Sequence, residues 1–559
     1  MTLGTFDRAR SLQALGATTF DVLVVGGGIT GAGVALDAAS RGLRTALVER
    51  DDFASGTSSR SSKLVHGGLR YLQNGDVRLV YEALRERQRL RHNAPHLVRL
   101  LPFLIPLFSK DGLIHPKVAR ALGSAMWMYD LTGGARIGKL HKRLKKDEAV
   151  AHMPTIPVER LAGAYLYYDA AADDARLTLT LARTAAVEHG AVVANHTRVV
   201  QLLHDAQGKV RGAAIEARQA DGTTTSFEVA ARSIVNAAGV WSDDVRALDE
   251  GQHPHSIRPA KGIHITVPWE KVQNDIAVVV PVPKDKRSVF VVPWLPTDDG
   301  RFQLTYIGTT DTDYDGPLDD PRCTPADIAY LLSAINLSVR KPLSEADVVG
   351  TWAGLRPLVN AAVSGRTADL SRRHKVLLSA SGMVSVTGGK LTTYREMAED
   401  TVDAVVEHLG DLPRTARRCQ TRRLRLLGAG ATLAATPRHL ADRYGSEARV
   451  LTAMVQGDPR LGEPLVDGLP YLRAEAVYAV RHEMARTVDD VLSRRTRARL
   501  QAREASVAAA RDVAALLGAE LDWSPADVER EAAAYTSSVA GERAASGLPE
   551  PVPPVAGLR

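Results

Sequence analysis

The sequence is poor in cysteine and in long apolar runs, and both shortages exclude classes of protein. Cys323 and Cys419 stand far apart and match no metal-ligand or redox spacing. We therefore expect no disulfide framework and no metal, which fits a reducing cytoplasm. No stretch approaches the about 20 apolar residues that span a bilayer. The nearest, Leu100–Phe108, is interrupted by Pro102 and Pro106, and the N-terminal stretch lacks the apolar core of a secretory signal.

Aromatic residues are also few, at 5% of the chain, while positive charge is in modest excess, at +7. The excess is uneven, since Arg136–Lys146 holds six Lys or Arg and no acid. This run is typical of a solvated helix face, of a surface that meets an anionic membrane, or of a site for an acidic ligand. No aromatic residues interleave with it, so we expect no nucleic-acid partner.

The most informative segment is the stretch 21–49, DVLVVGGGITGAGVALDAASRGLRTALVE. An apolar run ends in Gly26, Gly28 and Gly31, which have the spacing G-x-G-x-x-G and precede an Ala-rich helical stretch. These glycines predict a tight turn, a close approach of pyrophosphate to the backbone, and close packing of helix on strand. Glu49 ends the next strand, 23 positions after Gly26, where an acid binds ribose hydroxyls. The segment predicts a dinucleotide site, and these residues alone leave FAD and a nicotinamide dinucleotide open.

The rest of the chain predicts several layers, and its length allows two or three domains. We expect a glycine- and serine-rich loop at 53–68, a helix at 76–93, irregular structure at 97–175 and a helix at 177–189. Strands are predicted at 191–203, 209–217 and 226–237, the last ending in Ala238 and Gly239 at the cofactor sheet. Four strand-like runs at 257–310 predict a mixed or antiparallel substrate sheet. A single strand at 376–386, a helix at 391–409, a linker at 411–424 and a helical region at 425–540 follow.

Three further segments carry a family resemblance. They are TSSRSSKLVHGGLRYL at 57–72, GTTDTD at 308–313 and TGGKLTTY at 387–394. Together with GGGITGAG they closely resemble the FAD-dependent glycerol-3-phosphate dehydrogenases of the aerobic bacterial and mitochondrial type. The resemblance runs from about residue 18 to about 400, and a helical C-terminal domain also fits it.

The resemblance implies a noncovalent FAD, oxidation of sn-glycerol 3-phosphate to dihydroxyacetone phosphate, and delivery of electrons to a membrane quinone. It also implies a cytoplasmic protein bound peripherally to the inner face of the cytoplasmic membrane, and a homodimer is an open expectation. The expected fold class is α/β, with a Rossmann-like FAD domain interleaved with a mixed-sheet substrate domain. We expect the FAD domain at 18–100, 175–256 and 350–410, the substrate domain at 101–174 and 257–349, the helical domain at 425–540, and a disordered tail at 541–559.

Candidate cofactor residues lie in two loops beside the dinucleotide motif. The first loop offers the hydroxyls of Thr57, Ser58, Ser59 and Ser61, which suit the flavin side of the pyrophosphate. In the second, Gly388, Gly389, Leu391 and Thr392 open the helix at 391–409, whose N-terminal dipole favours negative charge on the flavin. A flexible loop and a plain helix entry are the structural alternatives.

Candidate substrate residues must bind a phosphate and accept a proton. Arg70, Arg356 and Lys390 are the candidate cations, and Tyr71 is a hydrogen-bond donor. Any one of these cations alone could equally form a structural ion pair.

The candidate bases are His66, in the glycine- and serine-rich loop at 53–68 (the flavin loop), and His264, which alternates with apolar neighbours on a strand in the expected substrate sheet. We favour His264, although either histidine could instead fill a core position.

Three other functions stay open on the sequence. An oxygen-dependent glycerol-3-phosphate oxidase would use the same substrate motifs. In a related flavin amino-acid oxidase, Arg356 would bind a carboxylate, whereas Arg70 and Lys390 argue for phosphate. A non-catalytic flavin-bound membrane scaffold is the third alternative.

Overall fold

A computed structural model gives the architecture of the chain. It describes residues 5–69, 76–108, 123, 126–130, 138–219, 222–282, 288–359 and 374–549. Arg70, Tyr71 and the beginning of the basic run 136–146 lie outside these ranges. Among the described residues, no helix is both long and apolar enough to cross a bilayer.

Eighteen strands are present in the described ranges. They are β1 Phe20–Val25, β2 Thr45–Val48, β3 Leu64–Val65, β4 Val98–Phe108, β5 Lys142–Leu144, β6 Leu161–Ala172, β7 Val192–Ala194, β8 Thr197–His204, β9 Val210–Arg218, β10 Thr224–Asn236, β11 Ile257–Pro268, β12 Ala277–Pro281, β13 Ser288–Pro296, β14 Phe302–Gly308, β15 Thr312–Asp313, β16 Gly350–Val359, β17 Lys375–Leu378 and β18 Val384–Thr387.

Helices alternate with the strands and then take over the C-terminal part. The α-helices are Arg8–Ala17, Ile29–Ser40, Val77–Asn93, Lys146–His152, Asp174–Val187, Ser242–Glu250, Pro325–Asn336, Tyr394–Leu409, Arg438–Tyr444, Ala448–Gly457, Arg473–Glu483, Ala498–Gln501, Arg503–Ala508, Ala510–Leu521 and Pro525–Ser546.

The first sheet has a parallel core in the order β18-β10-β1-β2-β7. β1 is buried along its whole length, as expected for a central strand with helices on both faces. The helices Ile29–Ser40, Asp174–Val187 and Tyr394–Leu409 share one apolar core with this sheet. The predicted β1-helix-β2 unit is therefore confirmed, and it directs the glycines after β1 to the carboxyl edge of the sheet.

The second sheet is mixed and mostly antiparallel, with the order β15-β11-β14-β13-β12-β4-β6-β3, and with β16 on the other side of β11. It contains the strands predicted at 257–310. β11 pairs with β16 over ten residues, from Ile257↔Val359 to Thr266↔Gly350. The predicted boundary at residue 350 was therefore wrong, because this strand completes the substrate sheet.

Irregular structure at 97–175 was also a wrong prediction. β4 and β6 pair antiparallel from Val98↔Ala172 onward, although β4 contains Pro102 and Pro106. A proline removes one ladder donor. The other neighbour, β12, pairs with β4 only at Phe103 and Leu104. Few inter-strand hydrogen bonds therefore exist on that side for the prolines to remove. Pairing with a distant strand overrides the local signal here.

Three smaller predictions also need correction. The strand expected at 191–203 is divided at Asn195 and His196, where His196 has φ +48°. The strand expected at 376–386 is the antiparallel hairpin β17-β18. The helix Pro525–Ser546 continues past residue 541, so the beginning of the expected tail is helical. The helical C-terminal region itself is confirmed, with its own apolar core.

Candidate active site

Two adjoining cavities lie where the carboxyl ends of β1, β2 and β10 face the second sheet. The first has a volume of about 560 Å³ and the second of about 210 Å³. They share the wall formed by Ile29, Thr57, Ser58, Pro357, Gly388, Gly389, Lys390 and Leu391. A ligand in the first cavity can therefore extend to a second molecule in the other.

The glycine motif shapes one end of the first cavity. Gly26 has φ +109°, a conformation that side chains disfavour. A Cβ on Gly31 would lie 1.9 Å from the carbonyl oxygen of Gly26, so only glycine allows this contact of helix and strand. Gly28 precedes the helix Ile29–Ser40 and lines the cavity. The roles that the sequence predicts for Gly26 and Gly31 match this geometry.

Glu49 directly follows β2, beside this motif. Its carboxylate accepts hydrogen bonds from the backbone N–H of Gly27, at 2.6 Å, and of Asp51, at 2.9 Å. Burial raises the pKa of Glu49 to about 7. The side chain lines the first cavity, and its oxygens have further acceptor capacity for the hydroxyls of a ribose.

The opposite wall contains residues that the sequence also singles out. Ala238 and Gly239 follow β10 and line the first cavity, as does Leu391. Gly239, Gly388 and Gly389 all have positive φ, at +62°, +78° and +79°. Thr392 lies in the wall of the second cavity and accepts a hydrogen bond from the backbone N–H of His66 at 3.1 Å.

The hydroxyl-rich loop divides its residues between two tasks. Ser58 Oγ accepts from the backbone N–H of Ile29 at 2.8 Å, and Thr57 Oγ1 donates to the carbonyl of Leu355 at 2.5 Å. Both residues line both cavities. Ser61 lines only the second of the two cavities and donates its hydroxyl to Asp174 at 2.7 Å, while the buried Ser59 lines neither.

The second cavity brings together His264, His66, Arg356 and Lys390. Arg356 donates to Asp311 at 3.1 Å and to Thr309 Oγ1 at 3.3 Å. Its side chain stays 24% exposed, so this ion pair orients a guanidinium that still reaches the cavity.

His264 is 2% exposed and lies in the middle of β11. Its Nε2 is 2.8 Å from Ser62 Oγ, and its ring stacks on Trp352 with centroids 4.6 Å apart and planes 7° apart. Its Nδ1 is buried and has no hydrogen-bond partner within the described ranges. Burial, with Lys63 and Arg356 nearby, holds the pKa of His264 well below its usual value.

Sequence reasoning missed two aromatic residues of the site. Trp352 stacks on His264 as described, and Trp241 lines the first cavity with Arg50 packed 4.5 Å above its ring. Trp241 lies two residues after Gly239, and Trp352 lies four residues before Arg356. Aromatic residues close in the chain to candidate site residues were the available signal.

One cluster of possible metal ligands occurs in the described residues, formed by Asp52, His196 and Asp490. Asp52 there accepts hydrogen bonds from Arg494 and from Arg495, at 2.6–2.8 Å. Two guanidinium groups thus already neutralise this carboxylate, which argues against a cation site.

The two cavities fit a dinucleotide and a small substrate. The first cavity contains the start of a helix at Gly28, the acid Glu49 for ribose hydroxyls, and a far wall with Gly388 and Gly389. It adjoins the second cavity, which contains the candidate cations and imidazoles. This is the arrangement of a dinucleotide-dependent oxidoreductase.

Comparison with known proteins agrees with this arrangement. The family model for FAD dependent oxidoreductase matches residues 21–395, and that for the C-terminal domain of alpha-glycerophosphate oxidase matches 419–528. Glycerol-3-phosphate dehydrogenase 2 of Mycobacterium tuberculosis is 41% identical over 98% of this chain and 93% of its own length. The mitochondrial glycerol-3-phosphate dehydrogenase of Mus musculus is 39% identical over 90% of this chain and 71% of its own.

Among solved structures, the glycerol-3-phosphate dehydrogenase of Bacillus halodurans complexed with FAD has a TM-score of 0.74 and 31% identity, covering 97% of this chain and 98% of its own. The chain therefore belongs to the FAD-dependent oxidoreductases, in the glycerol-3-phosphate dehydrogenase family. The predicted family, fold class and cofactor are confirmed.

Proposed function

We propose that this protein oxidises sn-glycerol 3-phosphate to dihydroxyacetone phosphate and passes the electrons to a membrane quinone. The observation that carries the proposal is the shared wall of the two cavities, which places His264, Arg356 and Lys390 next to the dinucleotide site. The relatives named above, which match nearly the whole chain, support the substrate.

His264 is the proposed general base. His264 lines the second cavity, and a neutral imidazole in that wall can accept the proton of the substrate hydroxyl. The lowered pKa of His264 keeps the imidazole neutral, and therefore able to accept a proton, at neutral pH.

Arg356 and Lys390 are the proposed phosphate ligands. Asp311 and Thr309 fix the guanidinium of Arg356, and Lys390 lines both cavities directly before the turn Leu391–Thr393. Charge-assisted hydrogen bonds contribute about 1.5–3 kcal/mol each. A doubly charged phosphate is therefore favoured over an uncharged hydroxymethyl group. FAD, when bound, supplies the hydride acceptor.

Anaerobic titration of the flavin-loaded protein with sn-glycerol 3-phosphate tests this proposal. We expect the substrate to bleach the flavin absorbance near stoichiometry, and glycerol to do so very poorly because it lacks the phosphate. Equal bleaching by glycerol would contradict the phosphate site, and no bleaching by either compound would contradict the function.

The second candidate is an oxidase that uses oxygen as the acceptor. The match of residues 419–528 to the C-terminal domain of alpha-glycerophosphate oxidase favours it. A soluble quinone analogue and air-saturated buffer, offered separately to the reduced protein, distinguish the two. A dehydrogenase should turn over with the quinone and release little peroxide, whereas an oxidase should release peroxide stoichiometrically without quinone.

We further propose peripheral attachment to the inner face of the cytoplasmic membrane. Trp127, Met128 and Leu140 are exposed by 58%, 41% and 50%, and the Trp127 ring lies 5.0 Å from that of His141. The exposed cations adjacent to Leu140 and His141 in the chain are Lys139, Lys142, Arg143 and Lys145. Apolar side chains surrounded by cations suit the interface of an anionic bilayer. Association as a homodimer stays a prediction.

A further inference from the structure

Lys63 is a buried cation behind the wall of the second cavity. It is 4% exposed, and its Nζ donates to Asp174 Oδ1 at 3.1 Å and to the carbonyl of Ser59 at 3.1 Å. Its side chain is therefore committed to the protein interior. Neighbouring Ser62 and Leu64 line the cavity, but Lys63 is not among the lining residues.

One indole connects this cation to the histidine of the site. The Nζ of Lys63 lies 4.9 Å from the centroid of the Trp352 ring, and the same ring stacks on His264 at 4.6 Å. Trp352 Nε1 donates to the carbonyl of Ser61 at 3.2 Å, and Ser62 Oγ contacts His264. Lys63, Trp352 and His264 are thus fixed relative to one another by the flavin loop and β16.

Asp174, the acid that pairs with Lys63, also contacts the helical C-terminal domain. Asp174 accepts from the backbone N–H and the hydroxyl of Ser61, at 3.0 and 2.7 Å, and from Arg497. Asp173 accepts from Arg497 at 2.7 Å. Arg443 also donates to Asp173, at 3.0 Å. Two acids are therefore shared by three cations here, and the ammonium group of Lys63 is the one that contacts Trp352.

The other charges around His264 come from the strands and loops packed against it. β16 contributes Arg356, which Asp311 neutralises in part, and the loop after β18 contributes Lys390 in the same cavity. β14 contributes Tyr306, whose hydroxyl donates to the carbonyl of Ser62 at 3.0 Å and whose pKa burial raises. Tyr306 is therefore neutral, and the charged groups that lower the pKa of His264 are Lys63 and Arg356, each with an acid as its partner.

We propose that Lys63 is a positioning residue for catalysis, which acts through Trp352 to keep the His264 imidazole uncharged and able to accept the substrate proton. This inference rests on the proposed role of His264 as the base. A fixed cation disfavours a second positive charge nearby, and a low-dielectric interior strengthens the effect. An ammonium group that contacts neither substrate nor cofactor can thereby set the pH range of the reaction.

The direction of the pKa shifts agrees with this geometry. Burial is the larger cause of the lowered pKa of His264, and Lys63 is the first of the two charged causes. Burial also lowers the pKa of Lys63 to about 8, while Asp174 opposes that shift. Lys63 is therefore charged throughout the acidic and neutral range, in which an imidazole would otherwise take up a proton.

The test is the pH dependence of flavin reduction by sn-glycerol 3-phosphate, followed anaerobically in a single turnover. In Lys63→Met the loss of a nearby cation should raise the pKa of His264. The acid limb of the pH–rate profile should therefore move to higher pH, by about one unit. The plateau rate at alkaline pH should stay close to that of the wild type. Lys63→Arg restores the charge and should restore the wild-type midpoint.

Lys261→Met is the matched control. Lys261 is 7% exposed, lies on the same strand as His264, and pairs with Asp327 at 2.6 Å, yet it is not a cause of the shifted pKa of His264. This variant loses a comparable buried ion pair, and its acid limb should keep the wild-type midpoint. Ionisation of the substrate phosphate affects all variants equally and so cancels in the comparison.

An unchanged midpoint in Lys63→Met would overturn the proposal, as would an equal shift in Lys261→Met. If Lys63→Met does not retain flavin, Lys63→Gln replaces it, and loss of flavin from both would overturn the proposal by making Lys63 a folding residue. Failure of the proposed function looks different, because the wild-type flavin would then stay oxidised with sn-glycerol 3-phosphate at every pH.

Discussion

At the scale of single residues, the site depends as much on missing side chains as on reactive ones. Gly28 leaves the start of the helix Ile29–Ser40 open toward the first cavity, where backbone N–H groups and the helix dipole favour a phosphate. A Cβ at this position would lie 3.2 Å from Ser58 Oγ. The fold can absorb that contact by a small movement of the hydroxyl, but a branched side chain would enter the cavity.

We therefore expect Gly28→Val to fold and to lose FAD. The ratio of flavin to protein absorbance after purification measures this directly. Gly457→Val is a suitable control, because a Cβ at Gly457 meets no atom within 4 Å. Full flavin occupancy in Gly28→Val would contradict the placement of the cofactor.

The two histidines of the second cavity should behave differently when they are removed. His264→Ala should retain FAD but slow flavin reduction by about 10²–10⁴, the usual contribution of a general base. His66→Ala should instead disturb the flavin spectrum, since it truncates a side chain in the wall of the second cavity, next to the first. Stopped-flow reduction measures the first effect, and a wild-type rate in His264→Ala would assign the base to another residue.

At the scale of elements, the carboxyl edge of the first sheet is joined to the helical domain by buried ion pairs. Asp52, three residues after Glu49, accepts from Arg494 and Arg495, both in the π-helical segment Asp490–Arg495. Asp52 also accepts from Asn195 at 3.0 Å. This network holds the C-terminal domain against the loop that follows β2.

Asp52→Ala should weaken that attachment, because it removes the buried carboxylate that Arg494 and Arg495 share. Loss of one partner of a buried pair costs about 3–5 kcal/mol, and the cost here should be at the lower end because Arg494 keeps Asp489 and Asp490. We expect faster release of the C-terminal domain in limited proteolysis and a lower thermal midpoint. Asp458→Ala is the control, since Asp458 pairs with Arg460 on the surface, where the arginine is 81% exposed. Such exposed pairs contribute about 0–1 kcal/mol, and equal sensitivity of both variants would contradict a specific role for the buried network.

At the scale of the whole molecule, the exposed patch of Trp127, Met128 and Leu140 and its surrounding cations predict how the protein meets a membrane. Each cation near an anionic surface contributes about 1 kcal/mol, and salt screens it. Binding to vesicles with anionic headgroups should therefore weaken strongly with salt, as measured by sedimentation. The paired variant Lys142→Glu with Arg143→Glu should bind weakly even at low salt. Binding insensitive to both changes would point to a purely apolar contact or to another surface.

The sequence by itself determined the first β-helix-β unit, the family and most of the cofactor wall, because these depend on local spacing. Glycines at fixed intervals allow the turns of this motif independently of contacts with distant residues. Glu49 follows its strand at a predictable distance from them. The cavity-facing position of His264 was predictable for a similar reason, since alternation along one strand sets the face on which a side chain lies; its role as the base stays a prediction.

Only the tertiary structure decided which residues gather around that histidine. Trp352, Lys63 and Asp174 come from three segments separated by more than a hundred residues, and β11, β16 and the flavin loop bring them together. The same reason explains the errors: β4 and β16 were misjudged because strand pairing across the sheet, which no local pattern records, overrides proline content and domain boundaries. Local geometry is encoded in neighbouring residues, whereas burial and charge balance depend on contacts that exist only after folding.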